Sequence, residues 1–222
     1  MSLSALLHQG GVFMFPLLLG SILTVAICIE RGFYFASLER GGVAFLARLQ
    51  ELLSKGNRAG AIEWLSGLQG PVPSTALAAL QNWTAGRQTL EDAVVARSRV
   101  ESPRLNRYLN VLETTVTASP LIGLLGTITG MMGVFRAVSA KMASAPNADT
   151  SHILAGIGEA LVATATGILL AVLALLAHNF FQALAESQLE ASERVGDQLL
   201  LAHSQESQLQ ATQTVVAAES EA

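Results

Sequence analysis

Three stretches of the chain are almost free of charge. Residues 12–29 and 114–135 carry none, and residues 153–177 carry a single ionisable side chain, Glu159. A helix needs about 20 mostly apolar residues to cross a hydrocarbon core of roughly 30 Å, so each stretch predicts a membrane span. Spanning strands would instead show segments of about 10 residues alternating apolar and polar, and no such alternation is present. The intervening sequence has helical periodicity. "VAFLARLQELLSKG" places Phe45, Leu46, Leu49, Leu52 and Leu53 on one face and is expected to stop at Gly56. "GPVPS" interrupts the pattern. "TLEDAVVARSRVES" and "NRYLNVLE" are helical in pattern on either side of Pro103, the second running into the second span with no loop signal. After the third span the tail is rich in Ala, Leu, Glu and Gln, with only Gly196 as a breaker, and its last residues are expected to fray. The fold class predicted is an all-α membrane protein of three transmembrane helices, the second and third extended into the cytoplasm as long helices.

Composition agrees with a membrane location. Of 222 residues, 51% are hydrophobic and 14% charged, and the mean hydropathy of +0.46 is too high for an ordinary soluble domain. A formal net charge of -4 without a basic block argues against a nucleic-acid partner. Cys28 is the single cysteine, so it forms no internal disulfide and no metal cluster, and no cofactor is expected.

Ten of the 13 Lys and Arg lie from Arg31 to Arg107, near both ends of the segment joining the first two spans, which places that segment in the cytoplasm. The expected order is an outer N-terminus (1–11), span one (12–29), a cytoplasmic helical segment (30–113), span two (114–135), an outer loop (136–152), span three (153–177) and a cytoplasmic tail (178–222). The first span ends at Glu30 and Arg31 with no small-residue cleavage site, and is expected to be an uncleaved anchor.

A charged side chain at the bilayer centre costs about 3 kcal/mol or more, which makes Glu159 a functional candidate by default. The alternative is an acid near the end of its span that snorkels outward. At 100° per residue its helix face holds Gly156, Ala163, Thr166, Leu170, Ala174 and Ala177, mostly small residues. In span two, Gly123, Gly126, Thr127 and Gly130 share a face, with a GxxxG spacing from Gly126 to Gly130 that suits close helix packing. That face could equally be a structural contact or part of a pore lining.

Three stretches, "GGVFMFPLLLGSILTVAICIER", "SPLIGLLGTITGMMGVF" and "GIGEALVATATGILLAV", occur in an order and spacing that resemble the MotA/TolQ/ExbB proton-channel family, in particular its ExbB and TolQ branch. The resemblance implies a bacterial inner-membrane protein with a periplasmic N-terminus. It further implies a homo-oligomeric ring, typically pentameric, around single-span helices of an ExbD- or TolR-like partner, with proton flow driving a TonB- or TolA-type protein. Matched motif by motif, it assigns the pore glutamate to Glu159 and the pathway threonines to Thr127 and Thr164. Helix periodicity prefers Thr166 to Thr164, and both stay as candidates. Leu173 stands where the family commonly has a proline, and His178 replaces the usual aromatic before Asn179. His178 is expected to be an interfacial helix-end residue.

Rival functions fare less well. An intramembrane enzyme would need a second acid, a histidine pair or a nucleophilic serine motif, and the spans offer one carboxylate. A passive helix-packing scaffold and a TolQ-type envelope-maintenance role remain as alternatives to outer-membrane transport. A MotA-type flagellar stator would need a fourth span.

Overall fold

In a computed structural model the described residues are 11–38, 41–144 and 151–220. They form seven helices: α1 (Met14–Ser37), α2 (Val43–Ser54), α3 (Arg58–Ser66), α4 (Pro71–Gln81), α5 (Arg87–Leu105), α6 (Leu109–Ser144) and α7 (Ser151–Ser220). Helices α1, α6 and α7 each contain a segment long and apolar enough to cross a membrane, by length and composition. The expected outer N-terminus lies, except for Gly11, outside the described residues. So do 145–150 of the expected outer loop, whose remaining residues belong to α6 and α7.

Some boundaries differ from the sequence expectation. Pro103 lies inside α5, and the chain breaks at residues 106–108, where Tyr108 takes a left-handed φ of 65°. A proline forfeits one backbone hydrogen bond, whereas a residue at positive φ leaves the right-handed helical region altogether. Pro71 opens α4 instead of merely breaking the pattern, since its fixed φ suits the first helical position. The tail expected to fray is helical to Ser220.

The chain divides into two compact units. The first comprises the described residues of Met1–Gly32 and Tyr108–Phe181. Here α1 packs on the other two spans: Met14, Leu17 and Leu170 form a buried cluster with Ile122 against it. The space beside Gly20 is taken by Leu170 and Thr115. Arg31 is buried at 2% exposure, pairs with Glu30 and lies over the Tyr108 ring. His178, expected at a helix end, lies inside α7, and its Nδ1 stands 3.2 Å from the carbonyl of Leu109, the first residue of α6.

The second unit comprises the described residues of Phe33–Arg107 and Gln182–Ala222. Its core joins Phe45 and Leu49 of α2, Leu65 of α3, Val72 and Ala76 of α4, Val94 of α5 and Val195 of α7. Gly196, the one breaker foreseen in the tail, leaves α7 helical and makes room for Val94, whose Cγ1 would lie 2.7 Å from any Cβ there. Three of its buried polar side chains are paired: Thr75 Oγ1 and Ser192 Oγ are 2.7 Å apart, and Glu101 is clamped by Arg97 at 2.6 Å, whereas the buried Gln188 Oε1 meets no hydrogen-bond partner among the described residues. Near the end of α7, Glu206 accepts from Arg58 and from the Trp83 indole N–H. Burial pushes the Glu206 carboxyl up, but those two donors outweigh it and hold it below the usual carboxylate range.

A lowered carboxyl stabilises the fold above the unfolded-state value of about 4.3, and that contribution is lost as pH falls through the folded-state value. The Glu206 side chain is 39% exposed, so screening leaves roughly 0.5 kcal/mol. Glu206→Gln is expected to lower the unfolding temperature of the detergent-solubilised chain at neutral pH, read from tryptophan fluorescence. The gap from the unsubstituted chain should narrow as pH falls below about 4.3.

Candidate functional site

The site is built on the antiparallel contact of α6 with α7. Small residues recur on α6 at Ser119, Gly123, Gly126 and Gly130, and on α7 at Gly156, Ala160, Ala163 and Gly167. Steps of four and three residues keep each set on one helix face. A Cβ at Gly123 would lie 3.0 Å from Thr164 Cα and 3.1 Å from the Ala163 carbonyl oxygen. One at Gly130 would meet Ala160 Cβ at 2.9 Å, and one at Gly167 would meet the Ser119 carbonyl oxygen at 2.5 Å. The three glycines foreseen as a packing face, Gly123, Gly126 and Gly130, therefore pack against α7 of the same chain. The answering face on α7 was only half legible, because Ala160 and Gly167 fall off the stripe centred on Glu159. Their signal was the four-residue spacing of small residues, Gly156 to Ala160 and Ala163 to Gly167.

Thr164 fastens this contact. Its hydroxyl donates to the Gly123 carbonyl oxygen at 2.8 Å, a bond from one span to the other. Thr166 donates to Val162 of its own helix at 2.8 Å, and Thr127 to Leu124 of its own helix at 2.7 Å. The two span-three threonines thus differ in kind: one hydroxyl is committed across the contact, the other along its own helix.

Glu159 follows directly after the packing face begins and stays exposed in the single chain, beside a cavity of about 380 Å³. Gly126, Gly130 and Gly133 of α6 line the cavity together with Gly156, Thr129 and Gly11. Thr127, Thr164 and Thr166 are not on its wall; the hydroxyl there is that of Thr129, which donates to the Leu125 carbonyl at 2.9 Å. Sequence reasoning missed Thr129, although it lies three residues from Gly126 and one from Gly130. It also missed Gly11, whose backbone stands against the Glu159 carboxylate. Among the described residues no group of three or more His, Cys, Asp or Glu could hold a metal ion. The arrangement offers one proton-titratable group, walled by glycines, in an otherwise apolar span.

The profile of the MotA/TolQ/ExbB proton channel family matches residues 68–194, more than half of the chain and the whole of the α6–α7 contact. An ExbB-like biopolymer transport protein of Synechocystis sp. is 35% identical over 176 residues, covering 79% of this chain and 82% of that one. The biopolymer transport protein exbB1 of Vibrio cholerae is 31% identical over 175 residues, covering 77% and 75%. The Tol-Pal system protein TolQ of Pseudomonas aeruginosa is 40% identical over 92 residues, covering 41% of this chain and 38% of that one.

Two expectations follow from the contact geometry. Gly123→Ala forces a methyl group onto backbone atoms, and overpacking of this kind costs about 1–3 kcal/mol. Gly133→Ala, which meets nothing within 4 Å, should cost none. Thermal stability of the single chain in detergent checks the pair. Gly126→Leu and Gly130→Leu should be worse than either. Secondly, Thr164→Val removes a bond between spans worth about 0.6 kcal/mol and should lower the same reading, whereas Thr166→Val removes none between spans and should leave it unchanged.

Proposed function

The chain belongs to the MotA/TolQ/ExbB proton channel family, and we propose that within it this protein is the proton-conducting subunit of an ExbB-like motor. Membership makes it an ExbB/TolQ-type energising subunit and a multi-pass inner-membrane protein, in a family of transport proteins and not of enzymes. The observation that carries the finer reading is Glu159, the one acid in the apolar part of α7, set beside a cavity whose α6 wall is glycine-rich. An acid in that setting can take up a proton from one side of the membrane and lose it to the other.

In this reading several copies, most simply a pentamer, surround single-span helices of an ExbD- or TolR-like partner that supplies a second acid. The N-terminus lies in the periplasm and the α7 tail in the cytoplasm. Each proton moving through 100 mV releases about 2.3 kcal/mol, enough to bias a binding-and-release step between two positions of the partner. The work is passed to a TonB- or TolA-type protein spanning the periplasm. Transport across the outer membrane is the favoured end use, because the ExbB-named proteins of Synechocystis sp. and Vibrio cholerae match along most of both chains, whereas the TolQ match covers 41% of this one.

Reconstituted in liposomes with a pH-sensitive dye, the protein with its one-span partner should conduct protons, and Glu159→Gln should remove that flux while leaving insertion and assembly intact. Equal leak with and without the partner, or in Glu159→Gln, would leave the passive scaffold as the correct reading.

A further inference from the structure

Glu159 has a neighbour from the far end of the chain. Gly11 precedes α1 with a left-handed φ of 64°, and its carbonyl accepts from Met14 N at 3.1 Å, which holds it in the turn that starts the helix. A Cβ built on Gly11 would overlap Glu159 Oε1 and would stand 3.3 Å from Cδ and 3.8 Å from Cγ. The collision is therefore with the tip of a flexible side chain. At Gly123 and Gly167 the corresponding collisions are with backbone, which cannot step aside. A side chain at position 11 would displace the carboxylate and leave the packing of the spans in place.

We propose that Gly11 is a positioning residue for the proton site: the Cβ it lacks is the space that the Glu159 carboxylate occupies. This rests on the reading of Glu159 as the proton carrier and extends it to a segment outside the family match, which begins at residue 68. Proton transfer requires donor and acceptor within about 2.6–3.2 Å of one another, so an acid pushed off its position loses its counterpart even when it is still present. Gly11→Ala should lower partner-dependent proton flux about tenfold, within the range that a small misplacement costs in other proton-transfer sites.

A left-handed φ also disfavours alanine, and that cost must be separated from the collision. Gly56 has a φ of 68° with nothing within 4 Å of its Cβ position, so Gly56→Ala carries the backbone cost alone. Gly11→Asn brings the same Cβ on a residue that tolerates this conformation, and serves where Gly11→Ala accumulates poorly. The deciding measurement is the rate at which dicyclohexylcarbodiimide modifies the Glu159 carboxyl, read by mass spectrometry on the full chain with its partner in liposomes. The expected result is a severalfold change for Gly11→Ala and Gly11→Asn, in either direction, and none for Gly56→Ala. An unchanged rate in both position-11 variants would overturn the proposal whatever the flux does. Flux surviving Glu159→Gln alongside a changed labelling rate would instead sink the proton-carrier reading and leave the placement of the carboxylate by Gly11 standing.

Discussion

In lipid, two apolar helices gain nothing by hiding from water, because acyl chains are as apolar as leucine. What holds them is dispersion between closely fitted surfaces and the few hydrogen bonds that cross between them. The α6–α7 contact meets both conditions. Glycines and alanines on each face let the backbones approach until Gly167 stands against the Ser119 carbonyl, and Thr164 spans the gap to Gly123. The rest of the membrane unit depends on that fit. Helix α1 leans on the pair through Leu17 and Leu170, and the glycines beyond the tightest contact open into the cavity beside Glu159.

That geometry explains how one helix face serves two purposes. Close packing needs small residues, and so does a cavity. Along α6, Gly123 is buried against α7, while Gly133, ten residues on, meets nothing within 4 Å and lines the open space. Glu159 lies one position before Ala160, roughly 100° around the helix from it, so the acid is placed at the margin of the contact and not inside it. A carboxylate within the contact would separate the helices. One further around would face lipid, at a cost of several kcal/mol.

Much of this was legible because membranes simplify the code. Runs with at most one charged residue over 12–29, 114–135 and 153–177 are long enough to announce helices by themselves, and the lone acid, Glu159, marks itself. The α6 glycine stripe could be read for the same reason. The α7 stripe was harder: a wheel centred on Glu159 collects Ala163 but leaves out Ala160 and Gly167, and a single sequence does not say which face meets which. The break at Tyr108 had no signal, since a tyrosine rarely takes a positive φ and nothing in its neighbours along the chain marks one. Gly11 had none either. Its relation to Glu159 is a contact between residues far apart in sequence, and only the folding of α1 onto α6 and α7 creates it.

Glu159 is exposed in a single chain, and that exposure limits how the proposed site can work. Leaving a charge against acyl chains costs about 3 kcal/mol or more, so the acid must be protonated, covered by protein or in contact with water. Protonation alone makes a static scaffold. Permanent cover makes a buried ion pair that does not exchange. A site that works as a carrier needs the cover to alternate, with a second element that closes over the acid in one position and exposes it in another. The described walls of the cavity do not supply this, because they add no second acid and the Thr129 hydroxyl on α6 is already donated to the Leu125 carbonyl. In the motor proposed here, the moving part and the second acid that makes exchange possible belong to a partner helix.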